Sequence, residues 1–101
     1  MEKIGLNLDE KNHGAFVITE DDKAVGQMEI CIQGTDLVVY HTEVAPHAEG
    51  KGYAKKLLRN MVDYARSLVL KVIPLCPFVH AQFKRHPQEY ADVWKKPRVE
   101  D

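Results

Sequence analysis

The residues with the plainest chemical meaning are Gly50, Lys51 and Gly52. They sit between an extended apolar stretch and a long amphipathic one, in the run H-T-E-V-A-P-H-A-E-G-K-G-Y-A-K-K-L-L from His41 to Leu58. A glycine turn feeding a helix presents backbone N–H groups at a helix N-terminus, where negative charge is stabilised. The turn therefore reads as a seat for a phosphate-bearing ligand. Lys51, with Lys55 or Lys56, adds positive charge, and the amides of Lys51, Gly52, Tyr53 and Ala54 are the expected donors. A P-loop is excluded, because no Ser or Thr follows Gly50-Lys51 and the upstream glycine is missing.

A second chemical position is Cys76, between a short β-rich run and Pro77. A thiol there can donate a proton, attack a carbonyl, or simply fill space. His41 and Glu43 alternate along one strand, with Thr42 on the other side, and form a candidate base, direct or through water. Their bland reading is a polar strand end. His80 and His86 lack partners at zinc-ligand spacing, so no metal site is expected.

Elements to hold these residues follow from periodicity. Ile4, Leu6 and Leu8 alternate as a first strand. Ala15 to Thr19, Ala24 to Ile32 and Leu37 to Val44 are three more, joined by polar turns too short for crossovers. That predicts an antiparallel four-stranded meander. From Gly52 the apolar spacing becomes three and four, at Tyr53, Ala54, Leu57, Leu58, Met61, Val62, Ala65 and Leu68, so a helix begins. No glycine marks its end. Val69 to Ile73, closed by Pro74, reads as a fifth strand, parallel to the fourth through a right-handed crossover. A short helix over Phe78 to His86 follows, with Pro77 in its first turn. Residues 95–101 are charged and expected to fray.

At 101 residues the chain is read as one α/β domain. A composition of 45% hydrophobic and 29% charged residues is that of an ordinary globular protein. The formal net charge of −1 argues against a nucleic-acid binder. No apolar run approaches the ~20 residues that span a bilayer. Two cysteines make no disulfide framework, so a reduced, cytoplasmic setting is the default. The evenly mixed surface marks no clear interface, which fits a monomer or weak dimer.

Val44 to Leu58, V-A-P-H-A-E-G-K-G-Y-A-K-K-L-L, resembles the acyl-CoA-binding motif Arg/Gln-x-x-Gly-x-Gly/Ala of the GCN5-related N-acetyltransferases. Gly50 and Gly52 match it, and His47 stands at the Arg/Gln position. The ordered pieces His41-Thr42-Glu43-Val44, Glu49-Gly50-Lys51-Gly52, Val72 to Val79 and His86-Pro87 are similar to the small YjdJ-type subfamily over nearly the whole chain. The resemblance implies a compact acetyltransferase fold and acetyl-CoA as co-substrate, with an amine of unknown identity as acceptor. It implies that the pantetheine arm lies between the fourth and fifth strands, pairing with backbone near Glu43 and Val44. Cys76 then stands where it could protonate the departing thiolate or carry the acetyl group. Tyr90 matches the phenol that larger relatives use, displaced by one extra residue, and packing is its simpler role. The chain is too short for the two helices that follow the first strand in larger relatives, so the acceptor side is expected to be open or completed by a partner. An acyl-CoA-binding module without transfer is the alternative. A small scaffold or interaction domain would make the phosphate turn a coincidence.

Overall fold

A computed structural model describes residues 1–96. The fraying expected of the tail falls largely on residues 97–101, outside the described residues. Five strands form one sheet in the order β1 (Glu2–Leu8), β2 (His13–Glu20), β3 (Lys23–Gln33), β4 (Asp36–Val44) and β5 (Lys71–Pro74). The first four pair antiparallel, and β5 runs parallel to β4. Helix α1 (Tyr53–Ser67) makes the crossover, after a 3-10 turn at Pro46–Ala48. Helix α2 (Pro77–Arg85) follows β5, with Pro77 in its first turn as expected.

One face of the sheet is dry. Phe16, Ile18, Met28, Ile30, Leu37, Val39 and Val72 join Leu57, Met61 and Ala65 of α1 and Val79 and Phe83 of α2 in a single buried cluster. The i, i+4 spacing of the α1 residues makes the stripe that the sheet covers. The other face is open. It carries Lys3, Gly5, Asn7, Gln27, His41 and Glu43 exposed, with Val17 and Glu29 half-buried. β1 passes to β2 through a short turn, so no helix intervenes there.

Strand β4 holds a bulge. Glu29 pairs with His41 and Ile30 with Val39, leaving Tyr40 unmatched. A strict alternation from Leu37 and Val39 would carry His41 and Glu43 onto the helix face. The extra residue inverts that. His41 and Glu43 turn to the open face, and Thr42, opposite buried Met28, turns inward.

The end of α1 differs from the expected sequence pattern. Strand β5 begins at Lys71, because Val69 closes the helix instead of opening the strand. The Leu70 amide bonds the Ala65 carbonyl at 2.8 Å and the Val69 amide the Arg66 carbonyl at 3.3 Å. This is the left-handed cap that usually takes glycine. Val69 adopts φ 54° there, with a branched side chain 79% exposed. A non-glycine residue in this conformation costs about 1–2 kcal/mol, and glycine returns part of that through backbone entropy. Val69→Gly is expected to stabilise the domain by about 0.5–1 kcal/mol, read as a rise in thermal midpoint.

The outer edge of β5 is covered. The Val72 amide donates to the Val93 carbonyl at 2.6 Å, and the Lys95 amide to the Val72 carbonyl at 2.9 Å. Trp94 thereby makes a parallel bridge beside Val72. Phe83 stacks on Tyr90 with centroids 4.6 Å apart and meets Trp94 at 5.7 Å, which fastens this segment to α2. Protecting an edge strand in this way removes a template for unwanted pairing.

Candidate functional site

Strands β4 and β5 pair over only four residues, from Asp36–Lys71 to Val39–Pro74. Beyond Val39 they part. β4 continues to Val44, whereas the segment after β5 turns into α2. The Cys76 amide makes the last link, to the Val39 carbonyl at 2.9 Å. The parting is local chemistry: Pro74 ends β5 and Pro77 starts a helix.

The turn before α1 has the geometry its glycines suggested. Gly50 has φ 85° and Gly52 φ 77°, both left-handed. Gly52 is the N-cap of α1, and no side chain caps it. The first helical amides have no intrahelical acceptor, as at any helix start. The Lys56 amide is the first to find one, the Gly52 carbonyl at 3.1 Å. A Cβ built on Gly50 or Gly52 meets nothing within 4 Å, so the ground above the turn is open.

A cleft of about 370 Å³ lies over this turn. Val44, Ala48, Glu49, Gly50, Gly52, Tyr53, Ala54, Lys55 and Phe78 line it. Six residues expected to bind a cofactor are thus together: Val44, Gly50, Gly52, Tyr53, Ala54 and Lys55. Phe78, from the first turn of α2, was read from the sequence only as a helix residue, and it joins them in the lining. Glu43 lines a separate recess beside Ala24–Gln27.

Lys51 does not line the cleft. Its Nζ lies 3.0 and 3.3 Å from the two carboxylate oxygens of Glu20. The Tyr53 hydroxyl donates to the same carboxylate. Lys56 pairs with Glu2, which stands opposite Glu20 on the neighbouring strand. Glu20 was legible only as part of the polar turn Glu20-Asp21-Asp22-Lys23.

Cys76 is 2% exposed and buried beneath the parting of the strands. Its Sγ is 3.3 Å from Thr42 Oγ1. Thr42 is therefore the side chain that meets the thiol, and the Tyr40 bulge hid it from the sequence pattern. His41 and Glu43 share the opposite face, as expected, with Nε2 and Oε2 3.7 Å apart. Gln27 donates to Glu43 at 2.9 Å. These two candidate bases and the thiol flank the same strand from its two sides. Tyr90 packs on Phe83 and lines a groove between α1 and α2 that shares only Lys55 with the cleft, which Tyr90 itself does not line. Burial raises its phenol pKa. Among the described residues no His, Cys, Asp and Glu group is arranged to hold a metal, and no helix is long and apolar enough to cross a membrane.

Four carboxylates are held below their ordinary range. Glu20 is lowered by the Tyr53 hydroxyl and then by Lys51, and Glu2 by Lys56. Asp9 is lowered by the amides of His13 and Lys11, and Asp92 by Arg66. A depressed carboxylate contributes stability that is complete above its unfolded pKa and lost as pH falls through the folded one. The thermal midpoint is therefore expected to hold from neutrality to about pH 5 and to fall below about pH 4.5. Glu20→Gln should fall less steeply there, as a pH series of melting curves would show.

Comparison with known proteins places this arrangement. The family model described as GCN5-related N-acetyl-transferase matches residues 15–93. The chain belongs to the GCN5-related N-acetyltransferases. Solved structures agree. The solution structure of a GCN5-like protein from Staphylococcus aureus is 26% identical, with TM-score 0.68 over 93% of this chain and 90% of that one. A ribosomal-protein-alanine N-acetyltransferase from Brucella melitensis is 16% identical, with TM-score 0.69 over 100% and 96%. The ribosomal-protein-S18-alanine N-acetyltransferase of Escherichia coli is 15% identical, with TM-score 0.55. It is aligned over 58% of this chain, which covers 38% of that enzyme. The last two likenesses concern the fold alone. No curated protein sequence matches the chain.

Proposed function

We propose that this chain takes an acetyl group from acetyl-CoA and transfers it to an amine. The observation that carries the reading is the cleft above Gly50–Ala54. Two left-handed glycines and uncapped helical amides face open ground, and the cleft runs from there to Val44 and Phe78. A pyrophosphate fits the turn, where amide dipoles converge on negative charge. Lys55 adds a charge beside it. The pantetheine arm has two amides and can continue the sheet along β4 near Glu43 and Val44, where β5 has turned away. The thioester would then approach the Thr42–Cys76 pair.

Transfer needs a neutral amine, a polarised carbonyl and a proton for the departing thiolate. Glu43 and His41, on the open face, are placed to take a proton from an amine arriving there. Cys76 and Thr42 are placed to supply one from the other side. A second reading, binding of acyl-CoA without transfer, is favoured by the burial of Cys76. Amide shifts on titration with acetyl-CoA test both: unmoved Gly50 to Ala54 resonances would remove them together. Release of CoA across a panel of small amines, peptide N-termini and lysine side chains separates enzyme from binder.

A further inference from the structure

We infer that Glu20 is a positioning residue for the phosphate turn, acting from β2 through Tyr53 and Lys51. The inference rests on the acetyl-CoA reading above and adds a second-layer element to it. The lysines around the start of α1 divide into two sets. Lys55 lines the cleft, whereas Lys51 and Lys56 turn away from it. Their charges meet Glu20 and Glu2, which face each other across β1 and β2. Two carboxylates directly opposite on a sheet repel one another unless countered.

Tyr53 sits at the centre of this arrangement. Its residue is 5% exposed, and it both lines the cleft and bonds Glu20. The Lys51 and Lys56 ammonium groups lie 5.9 and 5.5 Å from its ring centroid. Tyr53 is also the first residue of α1, directly after Gly52. Fixing its hydroxyl on β2 fixes the direction in which the first helical amides point. Glycines on both sides of Lys51 leave that turn otherwise free to pivot. The carboxylate therefore holds two groups of the turn at once, Lys51 before the helix and Tyr53 inside it. On this account the ligand's phosphate charge is met by backbone amides and Lys55, and Lys51 serves orientation.

The test titrates wild type, Glu20→Gln, Tyr53→Phe and the double variant with CoA and with pantetheine, following amide resonances from Val44 to Lys55. Pantetheine has the same arm and no phosphates. Each single variant is expected to bind CoA about tenfold more weakly, with pantetheine binding unchanged. The double variant should lose no more than the worse single one, because both act on the same link: Tyr53→Phe removes its donor and Glu20→Gln the charge of its acceptor. Unchanged CoA affinity in either variant, additive losses, or an equal loss for pantetheine would overturn the role. Tyr53→Phe keeps the ring beneath the lysines, so it decides the matter should Glu20→Gln fold poorly. Failure of the wild type to bind CoA strikes the acetyl-CoA reading itself, before any variant is compared.

Discussion

Gly52→Val should weaken CoA binding by roughly a hundredfold, the size of one or two charge-assisted hydrogen bonds at about 1.5–3 kcal/mol each. The reason lies in the backbone. Gly52 has φ 77° at the N-cap of α1, a conformation that a β-branched residue adopts only under strain. The strained chain relaxes either by turning the first helical amides away from the cleft or by keeping them and losing about 1–2 kcal/mol of stability. Even in the second case a side chain now stands on open ground that the phosphates need. A control separates the two effects. Gly34 has φ 61° with nothing near its absent Cβ, and it lies in the β3–β4 turn, at the opposite end of β4 from the cleft residue Val44. Gly34→Val should suffer a similar loss of stability and bind CoA as wild type does. Calorimetric titration beside melting curves reads both quantities. Equal CoA affinity in Gly52→Val and wild type would mean that the turn holds no phosphate.

The legible parts of this fold are those that periodicity controls. Alternation and the change to a three-four spacing located five strands and two helices, because each element covers or is covered by one apolar face. The glycine turn was legible because left-handed backbone demands a particular residue. What escaped has the opposite character. The Tyr40 bulge is one extra residue in β4, chosen by pairing with β3, and nothing in Tyr40 announces it. It decided which side of the strand meets Cys76, and so hid Thr42. Val69 takes a conformation its own chemistry disfavours, because Leu70 must return to the core against Ala65. Lys51 was assigned to the phosphate by proximity in sequence. Its partner, Glu20, is 31 residues away and enters only through the tertiary fold. The bridge from Trp94 to Val72 is of the same kind. Family resemblance pointed to the glycine turn, whereas the cleft over it, with Phe78 in its lining, became visible only in the fold.

Cys76→Ala should lower kcat for acetyl transfer by about 10²–10⁴-fold if the thiol is the proton donor, with CoA affinity unchanged. The stability change should be small, about 1 kcal/mol for one lost sulfur in the core. The geometry gives the thiol a defined neighbour, Thr42 Oγ1 at 3.3 Å, at the point where β4 and β5 separate. A buried thiol with a hydroxyl partner is held in one orientation, and a proton can pass between the two groups without a water. Thr42→Val removes the partner and keeps the shape. It should cost less than Cys76→Ala, about tenfold, because the thiol stays and loses only its alignment. A nucleophilic thiol makes a different prediction. Incubation with acetyl-CoA alone would then leave an acetyl group on Cys76, visible in the intact mass, and free CoA would appear in equal amount. The thioester carbon moves from one sulfur to the other, and the Cys76 proton leaves with CoA. A donor thiol leaves no such adduct. Unchanged kcat in Cys76→Ala sinks both roles and returns the residue to the core, where its 2% exposure already places its side chain. His41 and Glu43, on the open face, would then be the side chains left to support transfer, and a double His41→Ala, Glu43→Ala variant without activity would show that they do.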